Sequence, residues 1–316
     1  MGPVRRAVID VGTNSIKLLV ADVCGQEVLP LLEESKQTRL GQGFYTSHLL
    51  QPRAIDLTAS AVAQFAAKAR ERLAASIRVI ATSAARDAAN SDALSAAIYD
   101  ASGLKMEIIS GDQEADWVFR GVTTVPELAA QSLLLLDVGG GSTEFILGQG
   151  VRKHFSASFP LGTVRLLESI PHSDPPQRQE LASCRDWLRG FLQDQVRPRL
   201  EPALRAELDD RADEIQLVGT GGTTSLLGRM EAKLETFDRA IIENTRLSLE
   251  AVRRHSEKLW SLPLNERQQI PGLPKNRADV ILTGVLIYEQ VMEQFGFAML
   301  RISTRGLRFA VVMEEA

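Results

Sequence analysis

The chain has 316 residues, 44% of them apolar, with 36 basic and 40 acidic side chains, a net charge of −4 and two cysteines. That is enough apolar material for more than one core, so two lobes are expected. The charge excludes the bulk positive field of broad nucleic-acid binding, so any polyanionic substrate must meet a local basic site. Cys24 and Cys184 form no C-x-x-C pair and are too few for a zinc site or a disulfide framework. A reducing cytoplasm, with both cysteines as plain packing residues, is the expectation.

The N-terminus, MGPVRRAVIDVG, passes directly into a strand pattern without the apolar stretch and cleavage site of a secretory signal. The apolar run SLLLLDVGGG falls short of the roughly 18 residues of a membrane span, so no membrane partner is expected. Residues 4–11 and 16–23 read as β-rich runs joined by the polar turn Gly12-Thr13-Asn14-Ser15, with 28–40 extending the sheet. Over 52–75, Ile55, Ala59, Val62, Phe65, Ala66 and Ala69 repeat at helical spacing. A strand at 77–81, a helix at 91–102, a strand at 106–109 and a helix at 112–123 follow, and such alternation signals α/β architecture.

The pattern then restarts. Residues 132–138 read as a buried strand, Gly139-Gly140-Gly141-Ser142-Thr143 as a turn, and Glu144 opens the next strand, as Asp10 and the turn after it led into theirs. A repeat of such long period is a domain duplication, not a solenoid. The expected lobes are 1–127 and 128–316, with 303–316 a candidate to pack back on the first. Further on come a polar helix at 177–196, a strand at 214–218 running into GTGGT, a helix near 249–259, and a long amphipathic helix at 276–295. A strand at 299–302 and a closing helix at 307–313 end the pattern. The segments 171–180 and 263–276 read as surface connections.

Two strand–glycine–hydroxyl hairpins, each led by an aspartate, suit a phosphate chain. Glycines let backbone N–H groups approach oxygens, hydroxyls add donors, and the carboxylates of Asp10 and Asp137 would hold a hydrated Mg2+ beside the phosphates. A third turn, Gly221-Gly222-Thr223, opens a helix and either presents its N-terminus to an anion or is simply a tight strand-to-helix turn.

IDVGTNSIKLLV, ISGDQEADWVF, LLLLDVGGGSTEFILG, FPLGTVRLLE and VGTGGT together resemble the exopolyphosphatase/guanosine-pentaphosphatase (Ppx/GppA) branch of the actin-like phosphotransferases. The resemblance implies two actin-like, ribonuclease-H-like α/β lobes with the active site in the interdomain cleft. It also implies a cytoplasmic homodimer that uses Mg2+ to hydrolyse terminal phosphate from inorganic polyphosphate. Guanosine pentaphosphate 5′-phosphohydrolase is the near alternative, and an actin-like kinase or nucleotide-switch filament the distant one. Carried over by position, Glu114 of S-G-x-x-E-A is the base that activates water, with Gln113 where a second glutamate often stands. Asp137 and Glu144 are metal- and water-handling acids, Asp10 is the corresponding acid of the first turn, and Arg86 sits on substrate phosphates. Arg39 and Arg165 lie in family-like segments without an assigned role. The helical HD-type domain of larger members is expected to be missing, and His48, His154, His172 and His255 lack metal spacing.

Overall fold

The computed structural model describes residues 2–210 and 215–315. The chain divides into two compact units, Met1–Val125 with Arg305–Ala316, and Pro126–Thr304.

In the first unit β1 (Val4–Val11), β2 (Ser15–Cys24) and β3 (Glu27–Gln37) form an antiparallel meander. β1 also pairs in parallel with β4 (Ser76–Ala81), which pairs with β5 (Met106–Ile108), giving the order β3-β2-β1-β4-β5. Its helices are α1 (Phe44–Ser47), α2 (Pro52–Glu71), α3 (Ser83–Asp87), α4 (Ser91–Ser102) and α5 (Gly111–Val122). Alternation along β1 sends Ala7, Ile9 and Val11 to the face that α2 covers with Ile55, Val62 and Phe65. The chain returns at its end to finish this unit. The helix Leu307–Val311 packs on β1 and α5, with Gly121 in contact with Gly306. Arg6 donates to the carbonyl oxygens of Val312, Met313 and Glu314, while the Glu314 carboxylate accepts from Trp117 Nε1 (2.9 Å), Arg120 (2.7 Å) and Arg78 (3.1 Å).

The second unit repeats the meander after the short α6 (Pro126–Ala129), with β6 (Leu133–Val138), β7 (Thr143–Gln149) and β8 (Arg152–Phe159). It continues through α7 (Thr163–Ser169), α8 (Arg178–Phe191), α9 (Arg197–Asp210), β9 (Gln216–Thr220), α10 (Gly221–Glu231), α11 (Arg239–Asn244), β10 (Arg246–Ser248), α12 (Leu249–Ser261), α13 (Leu264–Arg267), α14 (Ile281–Phe295) and β11 (Met299–Ile302). The sheet order is β10-β11-β9-β6-β7-β8.

Several elements differ from expectation. β3 ends at Gln37 because residues 38–43 turn back onto the first hairpin. The polar helix ends its regular course at Phe191 and runs through a π-helical stretch, Leu192–Val196, into α9, which tolerates Pro202 in its interior. The long helix starts at Ile281 rather than 276, after a 3-10 turn at Lys275–Arg277, and is buried on every side from Ile281 to Met292, not amphipathic. It lies among α7, α8, α10 and α12, so its polar groups need internal partners; Glu289 takes Arg185 at 2.7 Å. Within 263–276, Arg267 is fully buried against Asp174 rather than at the surface, and residues from Arg178 belong to α8. Glu214, placed in a strand from the sequence, lies outside the described residues. Cys184 is buried, which pushes its thiol up to about 12, but Cys24 is exposed at the end of β2 and is not the packing residue expected. Among the described residues no helix is long and apolar enough to cross a membrane.

Candidate functional site

In the first unit Gly12 N–H donates to Ser15 O (3.2 Å), closing a turn in which Thr13, Asn14 and Ser15 are all buried. The register of β1 and β2 sets Asp10 opposite Lys17. Burial pushes the Asp10 carboxyl above the usual carboxylate range, against the opposing pull of Lys17 and Arg308. Asn14 Oδ1 accepts from Gln37 Nε2 (3.0 Å), but Asn14 Nδ2 is buried without a partner. Such a donor costs about 1–3 kcal/mol while unmet, and a phosphate oxygen at the turn would meet it. Ser83 Oγ, one turn ahead of Arg86, is likewise buried and unpartnered.

Glu114 lies in the first turn of α5, whose start is fixed by Ser110, its Oγ accepting from Gln113 N–H at 3.2 Å. It is 9% exposed. Arg86 Nη1 donates both to Glu114 Oε2 (3.1 Å) and to Ile109 O (3.0 Å). Two expected site residues are therefore brought together, and the arginine expected on phosphate holds the expected base.

In the second unit Gly139 N–H donates to Ser142 O (3.0 Å), the same closure as at Gly12. Here strand register builds a row: Asp137 pairs with Thr220 on β9 and with Glu144 on β7, and Glu144 pairs with Ser158 on β8. Directly opposed residues share a face, so two carboxylates stand side by side. Glu144 is buried and accepts from Ser158 Oγ (2.7 Å). Asp137 Oδ1 lies against the start of α10, 2.3 Å from where a Cβ on Gly221 would be, and Gly221 has φ +85°. The first turn of α10 thus faces the Asp137 carboxylate. Thr223 Oγ1 donates back to Val138 O (3.4 Å). Thr143, expected among the phosphate donors, is fully buried and gives its one hydroxyl proton to Leu161 O.

Sequence reasoning passed over Arg277, whose Nη2 lies 2.7 Å from the Cβ position of Gly222. Its signal was a basic residue just past the end of a proline-rich segment, in the 3-10 turn that precedes α14. Among the described residues no three or more His, Cys, Asp or Glu side chains group as a metal cage. His154 and His255 pair with Glu207 and Glu231 inside the fold.

A model of the Ppx/GppA phosphatase family matches residues 19–316. A Mycobacterium tuberculosis protein named exopolyphosphatase 2 is 33% identical, over 100% of both chains. The crystal structure of an exopolyphosphatase from Cytophaga hutchinsonii superposes with a TM-score of 0.84 at 26% identity, covering 97% of this chain and 96% of that one. The Aquifex aeolicus Ppx/GppA family member gives 0.78 at 25% identity, with 98% and 97% covered. The fold is the two-lobed, actin-like α/β class that the motifs implied.

Proposed function

The chain belongs to the Ppx/GppA phosphatase family, and on that premise we propose that it is an exopolyphosphatase, releasing terminal phosphate from inorganic polyphosphate by attack of water. The names of its relatives point to that substrate. The observation that carries the reading is the duplicated hairpin turn, closed by the same hydrogen bond at Gly12 and Gly139 and led each time by an aspartate. Each such turn suits a phosphate group, whose oxygens its backbone N–H groups can meet.

Within this reading Glu114 accepts the proton of the attacking water, held in place by Arg86. Asn14 Nδ2 and the backbone N–H groups of both turns hold phosphate oxygens. The donor chemistry fits Mg2+, which takes one or two carboxylates and completes its shell with water and phosphate rather than with a protein cage. Asp137 and Glu144 supply that pair, with Ser158 orienting Glu144. Asp10 is faced by two cations and suits the role less. The bound ion would offset charge on the phosphoryl group as it leaves.

The test is release of orthophosphate from polyphosphates of defined length, from guanosine pentaphosphate, and from ATP with and without small acceptor alcohols, all at one Mg2+ concentration. The proposal expects fastest release from polyphosphate with no acceptor present. Preference for guanosine pentaphosphate would replace the substrate but keep the chemistry; dependence on an acceptor would replace the chemistry.

A further inference from the structure

The three glycine carbonyls of the second-unit turn are held from behind. Thr163 N–H donates to Gly139 O (3.0 Å), the N–H groups of Val164 and Arg165 to Gly140 O (2.8 and 3.1 Å), and Arg165 Nε to Gly141 O (2.8 Å). These donors form the first turn of α7, reached from β8 through the buried Leu161 and through Gly162, where a Cβ would lie 2.5 Å from the Gly140 carbonyl. In a trans peptide the C=O and the following N–H point opposite ways. Fixing the three carbonyls therefore turns the N–H groups of Gly140, Gly141 and Ser142 to the far side, as a row of donors.

The first unit carries the same device. After β3 come Leu40, buried, and Gly41, where a Cβ would lie 2.3 Å from Thr13 Cγ2. Gly41 N–H donates to Thr13 O (2.7 Å), and Thr38 and Arg39 N–H donate to Asn14 O (3.2 and 3.0 Å). Arg39 adopts a left-handed φ of 53° to do so, which gives that residue a backbone role. Counted from the closing glycines, Asn14 and Gly141 are equivalent. Two backbone donors hold the Asn14 carbonyl, whereas a side chain, Arg165, holds that of Gly141.

We propose that Arg165 is a positioning residue of the phosphate-binding turn: its Nε–H fixes the Gly141 carbonyl and so aims the Ser142 N–H at a phosphate oxygen. The role belongs to the Nε donor and not to the charge. It rests on the phosphatase reading for its consequence, but its geometry can be read without turnover.

Side-chain lengths make the test selective. In Arg165→Gln the amide nitrogen falls where Nε stood and the charge is gone. Arg165→Lys keeps the charge and puts a methylene there, and Arg165→Met has neither donor nor charge. With tripolyphosphate, kcat/KM should fall about tenfold in the lysine and methionine variants and stay within about threefold of wild type in the glutamine variant. In the free proteins the Gly141 carbonyl 13C and Ser142 amide 15N shifts should move in the first two and hold in the third. If the lysine variant does not fold, the glutamine–methionine pair alone decides, because the two are close in shape. Full activity with lysine and its loss with glutamine would overturn the proposal in favour of direct charge contact with substrate; unchanged shifts and rates in all three would overturn it as well. A wild-type protein inert on every polyphosphate would sink the phosphatase reading, while the shifts would still decide the role of Arg165.

Discussion

In the first unit Asp10 stands opposite Lys17 and feels Arg308; in the second, Asp137 stands at the same place in the hairpin but opposite Glu144, which Ser158 orients. Strand register and turn closure are alike, so the difference lies in one cross-strand partner. A lysine opposite an aspartate brings it an opposite charge, whereas two opposed carboxylates bring each other a like charge, which on the proposed function suits a bound cation. On the proposed function, a duplicated backbone would carry two chemistries, a phosphate turn beside the proposed proton acceptor Glu114 in one unit and a phosphate turn beside the proposed ion pair Asp137 and Glu144 in the other.

The largest effect belongs to Glu114, the proposed proton acceptor of the first unit. Glu114→Gln should lower kcat by about 10²–10⁴-fold with little change in KM, since shape is kept and the phosphate turns are untouched. Steady-state kinetics on polyphosphate checks this, and wild-type turnover would remove Glu114 as the base. Next comes the row in the second unit. Ser158→Ala, which leaves both carboxylates but removes the Ser158 hydrogen bond to Glu144, should raise the Mg2+ concentration for half-maximal activity severalfold, read from a metal titration of the rate.

Two smaller effects separate the carboxylates of the first unit by sign. The folded-state pKa of Asp10 is raised, so its favourable contribution is complete below its unfolded value, about 3.9, and is lost as pH rises through the folded value. Asp10→Asn should therefore raise Tm by a few degrees at pH 7, with the two melting profiles converging near pH 4. Glu314 is the reverse case. Burial raises its pKa, but hydrogen bonds from Arg120, Trp117 and Arg78 outweigh it and hold the carboxyl below the usual range. Its contribution is present above about pH 4.3 and fades as pH falls through the folded value. Glu314→Gln should lower stability at pH 7 by about 1 kcal/mol, because the site is partly exposed and screened, with the deficit vanishing in acid. Thermal melts from pH 3 to 8 on both variants test the opposed signs together.

Much of the hairpin chemistry was legible because it is local. β-rich runs around a polar turn locate β1 and β2, and counting outward from Gly12 and Ser15 already pairs Asp10 with Lys17. What escaped depends on distant partners. Thr143 looks like a phosphate donor until Leu161 arrives beside it on the turn after β8. The contact of Arg86 with Glu114 could not be read from the sequence, because α5 brings the two together from 28 residues apart. The burial of α14 comes from four helices packed around it, which its own periodicity cannot report. α9 was missed because the expected polar helix stopped at 196, whereas the chain continues through the π-helical stretch Leu192–Val196 into α9, with Pro202 inside it.

The division between the two hairpins is tested most directly by metal binding in the absence of turnover. Mn2+, standing in for Mg2+, can be titrated by electron paramagnetic resonance into wild type, Glu144→Gln and Asp10→Asn with a non-hydrolysable methylene-bridged tripolyphosphate analogue present. The account predicts that Glu144→Gln weakens binding about tenfold or more and that Asp10→Asn stays within about twofold of wild type. An equal loss in Asp10→Asn would contradict it, placing the ion on the first hairpin as well.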